Sequence, residues 1–397
     1  MKRYSSAAAF VRQTSPMVPV IGMRPRAAAR AARWLLANFP GDVAYAYKAN
    51  DNPLILGALY ASGIRHFDVA SLPEVEEAFT MPGANLHFMN PIKPRHAIRL
   101  AYSGYGVRSF SLDSDDELEK ILFETNHARN LLLLVRMAVP NNDSVIPLDR
   151  KFGIDPQGAV RLLKRARKVA EKVGISFHVG SQMLRPQNYT RAIAMAAQVA
   201  KTANVELDYL DVGGGFPARH PDSEPPPLSH YISEIKSAVH QFGLKQARLM
   251  SEPGRALVAE AESVIVRVIG RRDNNLHIND GTYGCFFEGA KIYGGLSYPA
   301  RLVRNGQFST GEIKPFVLWG PSCDSIDHMP GPFYLPEDTR EGDFIEIGQL
   351  GAYGRVSRSN FNGFGPYEQV ILDDEPMNSM YGDEIREEQT ESPRVLA

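Results

Sequence analysis

The segment YAYKAN, residues 45–50, ends a short apolar run on a lysine, Lys48. Lysine side chains are mostly exposed, so the simplest interpretation is that Lys48 caps the end of a strand in solvent. The alternative is that the strand carries an amine into a pocket, where the amine can condense with an aldehyde. Polar residues at corresponding positions elsewhere in the chain decide between these two interpretations.

Short β-prone runs recur along the first two thirds of the chain, and helical patterns separate them. The eight runs are VAYAYK (43–48), HFDVA (66–70), LHFMN (86–90), VRSFSL (107–112), LLLLVRM (131–137), ISFHVG (175–180), YLDVGGG (209–215) and RLMSEPG (248–254). Eight strands alternating with helices predict a (β/α)8 barrel. A doubly wound open sheet is the alternative on pattern alone.

Most of these runs carry or precede a polar or glycine residue near the carboxyl end of the predicted strand. In a barrel, all strand carboxyl ends open onto one face, and active sites lie on that face. We therefore expect the following residues to converge: Lys48, Asp68, Arg136, His178, Gly213–Gly215 and Glu252.

The chemistry of this set points to one cofactor. Gly213–Gly215 lets backbone N–H groups approach an anion, and Arg255 adds a guanidinium, so both suit a phosphate. Glu252 can hold a protonated ring nitrogen, His178 can stack on a flat ring, and Lys48 can condense with an aldehyde. A phosphate, a pyridinium and an aldehyde together describe pyridoxal 5′-phosphate. Lys48 is then the lysine that forms the imine.

Composition limits the other possibilities. The 44 Lys and Arg residues nearly balance the 45 Asp and Glu residues, so we expect no nucleic-acid partner. Two cysteines, Cys285 and Cys323, indicate reduced thiols and a cytoplasmic protein, and no apolar run is long enough to predict a membrane span. A transit peptide is the alternative for the N-terminus, which is rich in Arg, Ser and Ala and whose first acidic residue is Asp42. However, the segment from Pro25 has the pattern of an ordinary amphipathic helix.

From about Val264 the strand-like runs lack intervening helices and predict an antiparallel β domain. We expect a barrel domain over residues 22–258 and a β domain formed by residues 1–21 together with 259–373. After residue 373 the chain is acidic and sparsely apolar, so we expect a disordered tail over 374–397.

Nine segments, in order, resemble the signature segments of the fold type III decarboxylases, and the ornithine/lysine decarboxylase branch most of all. They are YAYKANDNP, FDVAS, KFGI, FHVGSQ, LDVGGGFP, SEPGR, NDGTYG, WGPSCDSIDHM and GAYG with FNGFG, and they extend from about Val43 to Gly365. The resemblance implies an alanine-racemase-type barrel plus a β domain that includes the N-terminal strand. It also implies a head-to-tail homodimer with both active sites at the interface.

The resemblance assigns a role to each matching residue. Lys48 forms the imine, His178 lies on the cofactor ring face, Glu252 pairs with the ring nitrogen, and Asp68 and Arg136 support the cofactor. The implied phosphate-side residues are Ser181, Gly214, Gly215, Gly254, Arg255 and Tyr353. The implied substrate-side residues are Cys323, which governs protonation of the carbanion, Asp324, which faces the distal amine, and Tyr283 and Phe361; no metal ligand is implied. Cys323 and Asp324 would come from the partner subunit, and Cys285 is interpreted as a buried filler.

Two features favour decarboxylation of a diamino acid. Glu252 stabilises a protonated ring, whereas related racemases carry an arginine there. The segment reads CDS at Cys323–Ser325, whereas diaminopimelate decarboxylases have CES, so we expect a distal amine without a second carboxylate. Ornithine is the first expectation and lysine the second. One departure leaves the choice between them open: an aspartate of animal-type ornithine decarboxylases is missing after NDGTYG, and Glu288, which is one methylene longer, is the only carboxylate there that could replace it. A racemase of the same fold and a catalytically inactive regulatory relative are the alternatives.

Overall fold

The computed structural model describes residues 1–148 and 150–381, which form two compact units. The barrel unit comprises Leu35–Pro217 and Leu228–Leu257, and the β unit comprises Met1–Trp34, Ala218–Pro227 and the chain from Val258 onward. The predicted barrel domain, 22–258, ends within one residue of this division. It differs in that residues 22–34 and 218–227 belong to the β unit.

Twenty strands lie in the described residues. In chain order they are β1 Arg3–Tyr4, β2 Val20–Met23, β3 Asp42–Ala46, β4 His66–Val69, β5 Asn85–Phe88, β6 Ser109–Leu112, β7 Leu132–Arg136, β8 Ser144–Ile146, β9 Lys172–Ser176, β10 Ser181–Met183, β11 Tyr209–Asp211, β12 Arg248–Ser251, β13 Glu262–Arg272, β14 Asn275–Ile278, β15 Ala300–Arg304, β16 Gln307–Phe308, β17 Ile313–Trp319, β18 His328–Pro336, β19 Phe344–Ile347 and β20 Glu368–Leu372.

Ten α-helices accompany them in the same part of the chain. They are α1 Ala7–Thr14, α2 Pro25–Asn38, α3 Pro53–Ala61, α4 Leu72–Phe79, α5 Arg95–Ser103, α6 Asp115–Glu124, α7 Pro156–Val169, α8 Gln187–Ala203, α9 Leu228–Gln241 and α10 Arg255–Val258. Single 3₁₀ turns occur at Tyr47–Ala49, Ala259–Ala261, Phe287–Gly289, Arg355–Ser357 and Phe361–Gly363.

The barrel is closed by eight parallel strands in the order β11–β12–β3–β4–β5–β6–β7–β9. Each of the eight predicted runs contains or overlaps one of these strands, so the barrel prediction is confirmed and the open sheet is excluded. Strands that are covered on both sides read as continuous apolar runs, and β7, with the sequence LLLVR, is buried over its first four residues.

The strands end earlier than the apolar runs suggested. β3 ends at Ala46, and Lys48 lies in the 3₁₀ turn that follows rather than at the end of the strand. β9 ends at Ser176, so His178 lies two residues beyond it. Apolar residues such as Tyr47 and Phe177 continue the buried pattern into these turns, and this made the runs look like longer strands.

The β unit contains a ten-stranded sheet whose main path is β1–β20–β2–β13–β14–β17–β18. The N-terminal strand β2 pairs antiparallel with β13 and parallel with β20, as the predicted inclusion of this strand in the β domain requires. Helix α1 was not predicted; it buries Phe10 and Val11 against this sheet in a core cluster with Val20 and Ile265.

The segment predicted to begin a disordered tail at residue 374 is ordered up to Tyr381. Asp374 forms ion pairs with Arg24 and Arg301, and the side chain of Tyr381 is buried against Trp34. Asp374, one of the acidic residues that suggested disorder, therefore has basic partners in the β unit. The remainder of the predicted tail, 382–397, lies outside the described residues. Within the described residues, the helices include none with the length and apolar character needed to cross a membrane.

Candidate functional site

Lys48 is placed at the carboxyl end of the barrel by a turn whose geometry is fixed locally. Tyr45 Oη donates a hydrogen bond to the carbonyl of Asn50 over 2.7 Å, and Asn52 caps the helix that starts at Pro53. Lys48 Nζ lies 2.7 Å from Asp68 Oδ2, which comes from the neighbouring strand β4. The lysine side chain is 48% exposed whereas Asp68 is buried, so the amine is held from one side and accessible from the other.

His178 presents a neutral ring next to this pair. Its Nδ1 accepts a hydrogen bond from the backbone N–H of Gly180 over 3.0 Å, so the ring proton lies on Nε2. Burial lowers the pKa of His178 well below its ordinary value, and the positive charges of Arg136 and Lys48 lower it further. A neutral, flat imidazole is suited to stacking on another flat ring.

The glycine loop after β11 forms a cradle that side chains would fill. Gly213 and Gly215 have positive φ values of 68° and 100°. A Cβ atom on Gly214 would lie 3.0 Å from His178 Nε2, and one on Gly215 would lie 2.6 Å from the carbonyl of Gly180. The backbone is therefore bare where a ligand would approach, as the chemistry of phosphate binding requires.

Two of the predicted phosphate-side residues, Arg255 and Ser181, contact each other. Arg255, the first residue of α10, donates from its guanidinium to Ser181 Oγ over 3.1 Å. Ser181 is the first residue of β10, which pairs antiparallel with β8 in a small separate sheet. That pairing was not predicted, yet it fixes the residue that the guanidinium contacts.

Glu252 follows β12 and is buried. Its backbone N–H donates to the carbonyl of Gly213 over 2.8 Å, which ties it to the glycine loop. Burial raises the pKa of Glu252 well above its ordinary value, and the neighbouring carboxyls Asp211 and Asp68 raise it further. Among the described residues, Glu252 Oε1 has no hydrogen-bond partner.

These features fit pyridoxal phosphate. A buried carboxyl oxygen that lacks a donor would be satisfied by a protonated ring nitrogen, and the bare glycine cradle with Arg255 and Ser181 suits a phosphate. Lys48 supplies an accessible amine on the same rim of the barrel. Asp68, Arg136 and Glu252 thus lie on the carboxyl side of their strands, as the sequence predicted.

The predicted substrate-side residues form a second group, in the β unit. Tyr283 Oη donates to Asp324 Oδ2 over 2.7 Å, and its ring packs on Phe361 with 4.4 Å between centroids. The backbone N–H of Cys323 donates to Asn362 Oδ1 over 3.1 Å, and the thiol side chain is exposed. The backbone N–H of Ile326 and the hydroxyl of Tyr283 together hold the pKa of Asp324 below its ordinary value, so this carboxylate is charged.

Residues outside the predicted set position this second group. Asp327 accepts hydrogen bonds from the backbone N–H groups of Thr282 and Ser322, which joins the two loops that carry Tyr283 and Asp324. A sequence signal was present, because Asp327 lies within the matched segment WGPSCDSIDHM.

A buried arginine fixes the loop that carries Phe361. Arg358 Nη1 lies 2.8 Å from Asp280 Oδ2 and also donates to Cys285 Sγ over 3.2 Å. Cys285, interpreted from the sequence as a filler, is indeed buried, and burial raises the pKa of its thiol well above its ordinary value. Arg358 had no signal of its own in the pattern of the chain.

Two further predicted residues also lie in the β unit. Glu288 is in the 3₁₀ turn Phe287–Gly289 and is buried. Tyr353 has a φ of 60°, and Gly254 directly precedes α10 of the barrel unit. Their predicted contacts with substrate or cofactor stay predictions.

Comparison with known proteins agrees with this geometry. Residues 26–259 match the family model described as pyridoxal-dependent decarboxylase, pyridoxal binding domain. The chain is 33% identical over 344 residues to a lysine/ornithine decarboxylase of Selenomonas ruminantium, with 84% of each chain covered. It is 32% identical to the ornithine decarboxylase of Schizosaccharomyces pombe over 346 residues, which cover 83% of this chain and 77% of the relative.

Solved structures show the same relation. The arginine decarboxylase of Paramecium bursaria Chlorella virus, bound to agmatine, matches 91% of this chain and 99% of its own with a TM-score of 0.80 and 26% identity. The lysine/ornithine decarboxylase of Vibrio vulnificus, complexed with putrescine, matches 92% of this chain and 96% of its own with a TM-score of 0.77 and 28% identity.

The chain belongs to the pyridoxal-dependent decarboxylases. The family, the barrel with its β domain and the pyridoxal phosphate cofactor are therefore confirmed as predicted. Its relatives act on ornithine, lysine and arginine, and the protein is accordingly a decarboxylase of basic amino acids. The racemase and the inactive relative are set aside, because the relatives named above are all decarboxylases.

Proposed function

We propose that this protein removes the α-carboxylate of L-ornithine, and secondarily of L-lysine, to give a diamine such as putrescine for polyamine synthesis in the cytoplasm. The observation that carries the proposal is the charged carboxylate of Asp324, held by Tyr283 in a partly exposed loop. A carboxylate is the partner that a distal ammonium needs, and the residues on either side of Asp324, Cys323 and Ser325, are not acidic. Relatives named as lysine/ornithine decarboxylases support the same pair of substrates.

The barrel residues each have a defined task. Bound pyridoxal phosphate supplies an aldehyde that takes up an amine and a ring that accepts the electron pair left by a departing carboxylate. Lys48 presents its amine to that aldehyde, and Asp68 orients the amine at 2.7 Å. Glu252 would pair with the ring nitrogen and favour its protonated form, and the neutral ring of His178 would stack on the cofactor ring.

The phosphate and the substrate are held by different groups. Arg255, Ser181 and the glycine loop would hold the phosphate, with Tyr353 as a further contact. In this proposal Asp324 binds the distal amine, and Cys323 delivers a proton to the substrate carbon. Both come from the second subunit of a homodimer, whose active sites are shared.

The test is carbon dioxide release from a panel of ornithine, lysine, arginine and diaminopimelate, with the full chain saturated with pyridoxal phosphate. Ornithine should give the highest kcat/KM and lysine the next. The variant Lys48→Ala should show neither turnover nor the visible absorbance of lysine-bound cofactor. A preference for arginine or diaminopimelate would contradict the proposed distal pocket.

Glu288 is our candidate for a second carboxylate that sets the distance at which the distal amine binds. Ornithine and lysine differ by one methylene, so a pocket with two fixed carboxylates discriminates between them better than a pocket with one. In the same panel, Glu288→Gln should raise KM for the preferred substrate and bring the ornithine-to-lysine ratio closer to one. An unchanged ratio would mean that Glu288 is structural.

A further inference from the structure

Asp211 is a buried carboxyl that the roles above do not use. It is the last residue of β11, and β11 pairs in parallel with β12, after which Glu252 follows. Asp211 Oδ1 accepts a hydrogen bond from the backbone N–H of Gly213 over 2.9 Å, so this oxygen is fixed to the glycine loop. The backbone of Gly213 is hydrogen-bonded both to the Asp211 carboxyl and to the backbone N–H of Glu252, and each of the two carboxyls shifts the pKa of the other.

Two neighbouring buried carboxyls favour a shared proton. Carboxylate oxygens only accept hydrogen bonds, so two ionised carboxyls cannot bond to each other. With both treated as acceptors, Asp211 Oδ2 and Glu252 Oε1 are buried oxygens that have no donor among the described residues. One proton between the two carboxyls removes both deficits.

The charges around the pair also indicate that it holds one proton. The charged groups that act on the pair are the carboxylate of Asp68, the guanidinium of Arg136 and the ammonium of Lys48. With Asp211 and Glu252 both ionised, three negative charges would face two positive ones. A single proton on the pair balances these charges, which favours the two buried carboxyls because uncompensated charge is costly where water is excluded.

The pKa values shift in the matching direction. Burial raises the pKa of Asp211 to about 6. Burial also raises the pKa of Glu252 well above its ordinary value, with Asp211 as the next contribution. Two carboxyls in close contact behave as one titrating pair, as in other sites where like charges cannot both ionise.

We propose that Asp211 and Glu252 share one proton in the cofactor-free protein, and that this proton passes to the ring nitrogen when the cofactor binds. Asp211 is a positioning residue in this proposal, because it acts through Glu252 and does not itself meet the ring. This inference rests on the proposed role of Glu252. If the proton passes in this way, the ring nitrogen takes its proton from the Asp211–Glu252 pair. Cofactor binding then needs no proton from solvent for the ring.

The first test detects the shared proton without any cofactor. Infrared spectra of the full chain, freed of cofactor, should contain the carbonyl stretch of a protonated carboxylic acid. The spectrum of Asp211→Asn and the spectrum of Glu252→Gln should each lack one such band that wild type has. In each variant the new amide donates to the remaining carboxylate and replaces the proton. Asp208→Asn is the matched control: Asp208 bonds to Arg167 and to the backbone of Val173, before the start of the same strand.

The second test counts protons. Calorimetric titration with pyridoxal phosphate, in buffers of different ionisation enthalpy, should show Asp211→Asn taking up about one more proton than wild type or Asp208→Asn. The pH should be one at which the ring nitrogen of the free cofactor is unprotonated. A purely structural role for Asp211 would weaken binding without changing this count.

The outcomes are distinct. An unchanged infrared spectrum in both Asp211→Asn and Glu252→Gln would overturn the shared proton. A lost band together with equal proton uptake would overturn its transfer to the ring. Failure of wild type to bind pyridoxal phosphate would contradict the proposed function instead, and the infrared result would still decide whether the pair holds a proton.

Discussion

At the scale of single residues, two neighbouring buried carboxyls that each raise a question of charge mark the candidate site. Glu252 and Asp211 are buried carboxyls, and each costs the protein free energy unless a partner or a proton compensates it. A barrel built for stability alone would place apolar residues there. In the proposed role, a protonated ring nitrogen placed at Glu252 would compensate this cost, which suits the two carboxyls to holding that cofactor.

Glu252→Gln tests this assignment. An amide is neutral and cannot stabilise a pyridinium as a carboxylate does, whereas the phosphate contacts proposed for Arg255 would be unaffected. We expect the cofactor to stay bound and kcat with the preferred substrate to fall by more than about tenfold, or about 1.4 kcal/mol. The measurement is steady-state turnover together with cofactor content from visible absorbance.

Asp208→Asn again serves as the control, because it makes the same chemical change before the start of a barrel strand. It should leave turnover near that of wild type. If Glu252→Gln kept most of its activity at full cofactor occupancy, the proton on the ring nitrogen would contribute little to the reaction.

The residues that could be predicted from the sequence are ionisable residues that interrupt or end apolar runs. Lys48 and Glu252 stand out because they are ionisable groups beside apolar runs. Asp211 carried the same signal within YLDVGGG, but its proposed role depends on its interaction with Glu252, forty-one positions later in the chain, which no local pattern contains. Arg358 could not be found for the same reason, because its importance lies in its contacts with Asp280 and Cys285.

At the scale of elements, a buried lysine joins the ends of two barrel strands. Lys93 Nζ donates to the carbonyl of Asn90, after β5, over 2.9 Å and to the carbonyl of Ser111, in β6, over 2.6 Å. It also lies 2.9 Å from Glu117 of α6. Burial lowers the pKa of Lys93 to about 8, although the charge of Glu117 opposes that effect.

This pKa predicts how stability depends on pH. Below about pH 8, Lys93 is protonated in both the folded and the unfolded chain, and the folded state bears the full cost of the buried charge. Between about 8 and the ordinary lysine value of 10.5, the folded chain has released its proton but the unfolded chain has not, so stability rises with pH. The slope from this one group is at most about 1.4 kcal/mol per pH unit.

Lys93→Met isolates the effect, because methionine fills similar space and does not titrate, and Glu117 keeps its ion pair with Lys120. The free energy of unfolding should be measured by denaturant titration at several pH values from 7 to 10.5. We expect the difference, wild type minus Lys93→Met, to increase across that window. A flat difference would show that Lys93 keeps an ordinary pKa.

The segment Asp374–Tyr381 is a second structural element that the sequence did not reveal. Glu260 accepts hydrogen bonds from Ser379 Oγ over 2.7 Å and from the backbone N–H of Met380 over 2.6 Å. Gln349 donates to the carbonyl of Met377 over 2.8 Å. The segment thus covers a buried carboxyl and a buried amide of the β unit.

Two truncations test the contribution of this segment. Ending the chain after Asp373 exposes Trp34 and removes one carboxylate partner of the buried Arg24, so we expect a loss of about 3 kcal/mol or more in the free energy of unfolding. Ending it after Tyr381 is the matched control, because every contact described for the segment is kept. Equal stability of the two truncated chains would show that the segment contributes nothing.

The elements predicted well are those whose pattern is purely local. The eight barrel strands are apolar runs between helical patterns, and the sequence contains all the information needed to recognise them. β8 and β10 were missed because each has only three residues and is defined by pairing with the other. The ordered part of the tail was missed because acidic composition indicates disorder unless basic partners are known.

At the scale of the whole molecule, the exposed surface around Cys323 indicates a partner. Three large apolar side chains in this part of the β unit are unusually exposed: Ile326 is 41%, Phe361 40% and Phe364 44% exposed. Clustered apolar exposure of this kind is typical of an interface. The proposed occupant is a second copy of the chain, in which Cys323 and Asp324 of one subunit would complete the site around Lys48 of the other.

A shared site makes complementation between two inactive variants possible. Lys48→Ala removes the amine from one half of the site, and Cys323→Ala removes the thiol from the other half. In a mixed dimer, one site then carries both defects and the other carries neither. Random pairing gives half of the dimers mixed, so about a quarter of wild-type activity should return after the subunits exchange.

The measurement is carbon dioxide release from ornithine before and after mixing the two purified variants under conditions that allow exchange. Differently tagged chains should be used to show by co-purification that mixed dimers have formed. The matched control mixes Lys48→Ala with Glu252→Gln, since both residues belong to the same half of the site and each mixed dimer then carries one defect in each of its two sites. That mixture should recover nothing beyond the residual activity of Glu252→Gln. Recovery in the first mixture alone would support the shared site, whereas no recovery despite proven mixed dimers would place Lys48 and Cys323 within one subunit.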